Sequence, residues 1–326
     1  MKKETGIILL GLGAATAAAV LVSQRMTKAL VDEALNRDEP KIVKSVSEKL
    51  IGSYAEKEPY KSAIPAVREL ETAPTKQVEI TSDDGLRLVG HWYPAEKPER
   101  IILAMHGWRS NWASDFGPCA PFWHSEGCSV LFAEQRGQGM SEGEYMGFGV
   151  SERYDVLSWV KWICENTEDK LPIYLAGVSM GASTVLMASG LELPERVCGV
   201  MADCGFTSAE AIFRHVTKSS LHLSYNLMNK YVETIFRKKI SAGTEDCSTI
   251  DAMKVNTRPV LFIHGTDDGF VPVTMTYENY KACQAPKALF VVPGADHGAS
   301  YLIDKEGYEK AVRKFFAKYD NYEKGE

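Results

Sequence analysis

"YLAGVSMGAS" (residues 174–183) is the stretch on which the reading of this chain turns. The run Leu171-Pro-Ile-Tyr-Leu175 reads as a buried strand, and it leads into a single serine, Ser179, with Gly177 and Gly181 placed two residues to either side. Gly-x-Ser-x-Gly is common by chance and gains meaning when a strand precedes it and a helix follows. A serine at such a sharp strand-to-helix turn has a strained backbone that exposes its hydroxyl. The two glycines remove side chains that would collide with the neighbouring strand and helix. The helix N-terminus behind the serine offers unpaired N–H groups and positive potential to an oxyanion.

Outward from this turn, short apolar runs alternate with helical stretches. Residues 100–107, 128–137, 171–179, 196–204, 258–265 and 288–298 are near-continuous hydrophobic strands, the pattern of a parallel sheet covered on both faces. Between them, 151–165 carries Tyr154, Leu157, Val160 and Ile163 at helical spacing. This alternation predicts an α/β fold with right-handed crossovers and a mostly parallel, doubly wound sheet. Ahead of it, "QVEITSDDGLRLVGHWYPA" reads as two strands around the turn Asp83-Asp84-Gly85. One connection is too long: about fifty residues separate Cys204 from Arg258 and include Ile212, Phe213, Val216, Leu221, Leu227, Val232 and Phe236. An excursion this apolar at the sheet's carboxyl edge reads as a helical cap insertion, about 205–257, over the site, with extra core as its alternative.

The composition narrows the function. With 326 residues, 45% hydrophobic and 25% charged, the chain can build one large domain with additions. A net charge of −6 argues against a nucleic-acid partner, which would call for a basic stripe. The seven cysteines are scattered without Cys-x-x-Cys, so they read as reduced, partly buried thiols, with Cys204 set apart by its place at a strand end. No His-Glu-x-x-His occurs, and neither a metal nor another cofactor is expected. The run Gly6–Ser23 is eighteen uncharged residues preceded by Lys2 and Lys3, at the lower limit for crossing a bilayer. It reads as an N-terminal signal-anchor (1–24) giving membrane association on an undetermined side, the alternative being a signal peptide of a secreted protein. Residues 25–76 then read as a helical extension, with an apolar stripe at Ile42, Val46 and Leu50 and an irregular link marked by Pro59, Pro65 and Pro74.

A serine hydroxyl needs a base within hydrogen-bond reach, and the base needs an anion to fix its tautomer. His297, on a glycine-flanked loop past the last core strand, has the expected place and order. Asp268, in "FIHGTDDGFVP", lies on the loop after the preceding strand, with Asp267 beside it and Asp203 in "MADCG" as rivals. Ser179…Asp268…His297 is the chain order Ser–acid–His that the strand–turn–helix motif predicts. The oxyanion would be held by the main-chain N–H groups of Met180 and of Trp108 in "MHGWRSN". Arg109 reads as a solvated side chain, or else as a partner for a substrate carboxylate or phosphate. His106 and His264 read as hydrogen-bonded turn residues.

Taken together, His106-Gly107, "EQRGQGMSEG", "GVSMG", "HGTDDGFVP" and "GADHG" resemble the α/β-hydrolase superfamily over residues 77–322. Within it they are most similar to bacterial esterase/lipase and serine-aminopeptidase-like enzymes with an N-terminal membrane segment. The family pattern His-Gly-x-x-Asp-x-x-Val-Pro aligns on Asp268. Where the family usually has Asp-x-Arg-Gly-His-Gly, this chain has Glu134-Gln-Arg-Gly-Gln138-Gly. The resemblance implies an α/β-hydrolase fold and a serine hydrolase of the carboxylesterase/lipase type. Such an enzyme cleaves a small-molecule ester or related acyl bond through an acyl-enzyme, without a cofactor. A peptidase, thioesterase or acyltransferase on the same triad is the alternative, and a membrane-tethered binding protein without turnover the alternative from another class.

Overall fold

The computed structural model describes residues 24–38, 57–167, 171–219 and 224–320. The apolar segment 6–23 and the stripe Ile42, Val46 and Leu50 lie outside the described residues. Among the described residues no helix is long and apolar enough to cross a membrane.

Eight strands form one sheet: β1 (Lys76–Thr81), β2 (Arg87–Tyr93), β3 (Arg100–Met105), β4 (Cys128–Ala133), β5 (Ile173–Val178), β6 (Val197–Asp203), β7 (Val260–Gly265) and β8 (Lys287–Val292). Their order is β1-β2-β4-β3-β5-β6-β7-β8. The first two strands form the hairpin expected around Asp84-Gly85, and β2 meets β4 antiparallel. From β4 to β8 every neighbour is parallel. This is the α/β-hydrolase fold.

The period-2 alternation of strand side chains sorts the apolar runs onto two faces. Ile101, Leu103 and Met105 point to one core, and Ile102 and Ala104 to the other. The first face is covered by α5 (Glu152–Asn166), α6 (Met180–Ala188), α9 (Thr249–Val255) and α10 (Val273–Ala282). The second is covered by α3 (Trp112–Phe116), α4 (Ala120–Ser125) and α11 (Lys305–Tyr319), with Leu70 of α2 (Tyr60–Glu71) added. The last expected strand is shorter and wetter than its composition suggests. β8 ends at Val292 and is half-exposed because it is the sheet edge and has a neighbour on one side only.

The long connection runs through α7 (Ala209–Ser219), a short 3-10 turn and α8 (Asn229–Ile240) before α9 returns to the sheet. Its apolar residues Ile212, Val232 and Phe236 pack with Val31 and Leu35 of an N-terminal helix, α1 (24–35), around Phe148, Met180 and Phe206. Insertion and α1 thus share one core at the carboxyl edge. Sequence reasoning expected an irregular link around Pro59 and Pro65. The structure instead carries α2 through Pro65, which lies on its exposed side while Ala63 and Leu70 are buried.

Candidate active site

Ser179 caps α6 with φ 55° and ψ −118°, a left-handed conformation uncommon for a non-glycine residue. The turn is tight enough to dictate both glycines. A Cβ on Gly177 would lie 2.3 Å from the Gly181 carbonyl, inside the first turn of α6. A Cβ on Gly181 would lie 1.9 Å from the Met105 carbonyl oxygen at the end of β3. The Ser179 N–H donates to the Asp203 carbonyl at 2.9 Å, which ties the turn to β6.

The loops after β7 and β8 bring two more side chains to this point. His297 Nε2 is 2.9 Å from Ser179 Oγ, and its Nδ1 is 2.7 Å from Asp268 Oδ2. Asp268 Oδ1 accepts the N–H groups of Phe270 and Val271 at 2.9 and 2.7 Å. Sequence reading did not assign one further partner. His264 Nε2 lies 3.0 Å from the same Asp268 Oδ2 and 2.9 Å from the Val271 carbonyl, while Nδ1 faces the Thr276 hydroxyl at 2.7 Å. Two acceptors at Nε2 require that nitrogen to carry the hydrogen, so His264 donates to the carboxylate.

Electrostatics follow from this wiring. Burial alone would raise the Asp268 carboxyl, yet the His297 charge and the hydrogen bonds from His264 and His297 hold it well below the usual carboxylate range. Burial disfavours the His297 imidazolium, the Asp268 carboxylate bonded to its Nδ1 favours it, and the net shift is upward. The rival acids have other partners. Asp203 accepts the Ser300 hydroxyl at 3.0 Å, and burial pushes its carboxyl up to about 6. Exposed Asp267 accepts the Thr266 hydroxyl.

The main-chain N–H groups of Met180 and Trp108 donate to nothing among the described residues. Gly107 brings the Trp108 loop beside the serine turn: an added Cβ would sit in ordinary contact, 3.4 Å from Ser179 Cβ, and the Gly107 N–H donates to Asp115 Oδ2 at 2.6 Å. The next two side chains reach away to α1. Trp108 Nε1 donates to the Ala34 carbonyl at 2.9 Å. The Arg109 guanidinium donates to the carbonyls of Glu33 and Asn36 at 2.7 and 2.8 Å. Arg109 is therefore a clamp on the C-terminal end of α1, where a helix leaves carbonyls unpaired, and not the solvated residue of the sequence reading. Its own backbone, at φ 50°, is held by a hydrogen bond from its N–H to Gln138 Oε1 at 2.7 Å. Gln138 stands where the resembling family has histidine, so that departure supports the loop.

Cys204, also at positive φ, is fully buried, and its Sγ lies within 4.8 Å of ligand atoms of Asp268 and His297. Burial pushes its thiol up to about 11, so it is protonated near neutrality. These are the donors that a metal ion would find here. The imidazole and carboxylate, however, are already bonded to one another.

A cavity of about 410 Å³ opens on Ser179 and His297. Its wall is mostly apolar and includes Trp108, Pro118, Val178, Phe270 and Leu302. No described residue of the insertion lines it; four residues of α2 do.

Curated relatives include YqkD of Bacillus subtilis, 29% identical over 229 residues and covering 69% of this chain and 73% of that protein. YfhR of Salmonella typhi is 25% identical, covering 69% and 75%. Among solved structures, the Pyrococcus furiosus esterase Pf2001 superposes with a TM-score of 0.64 at 24% identity, over 78% of this chain and 94% of that one. Pyrococcus horikoshii acylaminoacyl peptidase gives 0.56 at 17% identity, over 79% and 44%. At such identities these structures speak for the fold. The model of the prolyl oligopeptidase family matches residues 115–321, more than half of the sequence, a span that holds Ser179, Asp268 and His297. The chain is a hydrolase of the α/β-hydrolase superfamily and belongs to the prolyl oligopeptidase family.

Proposed function

We propose that this protein is a serine hydrolase of carboxylic esters in which Ser179, His297 and Asp268 form the catalytic triad. The observation that carries the reading is the unbroken relay of hydrogen bonds, 2.9 Å from Ser179 Oγ to His297 Nε2 and 2.7 Å from Nδ1 to Asp268. Ser179 Oγ attacks the acyl carbon as its proton passes to His297 Nε2. The N–H groups of Met180 and Trp108 hold the oxyanion of the tetrahedral intermediate. His297 then gives its proton to the departing alkoxide, leaving an acyl-enzyme. A water, deprotonated by the same nitrogen, attacks that ester and releases the acid and the free serine. Asp268 stabilises the imidazolium in both halves without taking the proton.

The cavity favours a neutral acyl group over a peptide N-terminus. Its acidic residue Asp115 is occupied by the Gly107 N–H and the Ser110 hydroxyl, and the Arg109 guanidinium is bound to α1 carbonyls. Family membership keeps a peptidase as the second reading. Full-length protein and its Ser179→Ala variant would be compared on p-nitrophenyl acetate, butyrate and octanoate, on peptide p-nitroanilides, and with a fluorophosphonate probe. Ester turnover and labelling, both lost in the variant, are expected. Labelling with anilide but not ester turnover would transfer the reading to peptide bonds, and absence of labelling would sink it.

A further inference from the structure

The N-terminal extension supplies a wall of the cavity. Tyr60, Ala63, Ile64 and Val67 of α2 all line it, one turn or less apart. Residues at i, i+3, i+4 and i+7 occupy a single helical face, so α2 lays one apolar stripe along the opening.

The helix is fixed at both ends of that stripe. At its far end Leu70 is buried in the core on the sheet's second face, and the α2 backbone at Val67 rests directly on Gly117, where an added Cβ would be 2.7 Å from Val67 Cα. At its near end the Tyr60 hydroxyl donates to the main-chain carbonyl of His297 at 2.7 Å. The tether therefore runs to the residue read as the base. Pro118, Tyr301 and Leu302 line the same cavity and are again largely apolar. Between its anchors Ile64 remains 39% exposed, an isoleucine that a bound chain would cover.

We infer that α2 is the acyl-chain wall of the site, and that the substrates are esters of linear, medium-length fatty acids whose chain lies against Ala63, Ile64 and Val67. This rests on the ester-hydrolase reading above. Burial of a methylene is worth about fourfold in affinity, so chains that reach Ile64 gain over acetate, and chains outrunning the stripe gain nothing further. Ile64 therefore governs chain length, while Tyr60 is a positioning residue that keeps the stripe aligned with His297.

The test uses full-length protein, Ile64→Trp and Tyr60→Phe on p-nitrophenyl acetate, butyrate, octanoate and palmitate. A second series varies the alcohol of alkyl acetates, and fluorophosphonate labelling is measured throughout. The parent is expected to peak at butyrate or octanoate. Ile64→Trp should lower the octanoate-to-acetate ratio of kcat/KM about tenfold, with labelling reporting whether Ser179 still reacts. Tyr60→Phe should flatten the acyl profile, chiefly through KM. An acyl profile unmoved by Ile64→Trp while labelling persists would overturn the wall and leave the hydrolase standing. A response confined to the alcohol series would likewise overturn it, placing the leaving group on α2. Loss of labelling in the parent would instead strike the ester-hydrolase reading itself.

Discussion

Gly181→Ala puts a single methyl group against the part of the molecule with least room to yield. The new Cβ would stand 1.9 Å from the Met105 carbonyl oxygen, 2.5 Å from its carbon and 2.7 Å from the His106 oxygen. Ordinary contact begins at 3.4 Å, so the two sides must part by about 1.5 Å. All three atoms are main chain at the end of β3, and β3 is paired with β4 on one side and β5 on the other up to Met105. The strand cannot retreat without tearing that ladder, so the shift falls on α6, on Ser179 and on the loop Gly107–Trp108. Overpacking in a core costs about 1–3 kcal/mol, and a wall of backbone sets the expectation at the upper end. A displacement of about 1 Å at the reacting groups costs roughly 100-fold in rate. Urea unfolding and kcat/KM on p-nitrophenyl butyrate would be measured side by side. A variant with the parental urea midpoint and more than a tenth of the parental kcat/KM would refute the account of the turn.

Three further outcomes are expected. His297 must be neutral to accept the Ser179 proton, and its pKa is raised, so activity should be lost as pH falls through a midpoint above the ordinary value of about 6.5. Asp268→Asn removes the anion that favours the imidazolium, and should move that midpoint down while lowering kcat roughly 10³- to 10⁴-fold; a parental midpoint at or below 6.5 would contradict the wiring. Arg109→Met removes the charged donor from the carbonyls of Glu33 and Asn36, at about 1.5–3 kcal/mol per charge-assisted bond. Trypsin should then cut faster after Arg25 and Lys28 in α1, and kcat should fall roughly tenfold with KM little changed, whereas unchanged proteolysis would dissociate Arg109 from α1 docking.

Much of this protein was legible along the chain because local patterns carry it. Alternating apolar runs report a sheet buried on two faces, and Asp84-Gly85 reports a hairpin, since each depends on neighbours a few residues away. The order Ser179, Asp268, His297 could be read because each follows a strand whose end lies on one edge of a parallel sheet. The glycines at 177 and 181 were interpretable for the same reason: the constraint lies within one turn of backbone. What the sequence could not announce depends on partners remote in the chain. Nothing local to Arg109 shows that its guanidinium meets carbonyls of α1, seventy-odd residues earlier. His264 looked like a turn residue until the return of the loop set its Nε2 on Asp268. The sequence placed the cover of the site on the apolar insertion and offered the proline-bearing segment around Tyr60 only as an irregular link. Packing decided between them, because the insertion spends its apolar residues on α1 and Phe206, leaving the stripe of α2 to face Ser179.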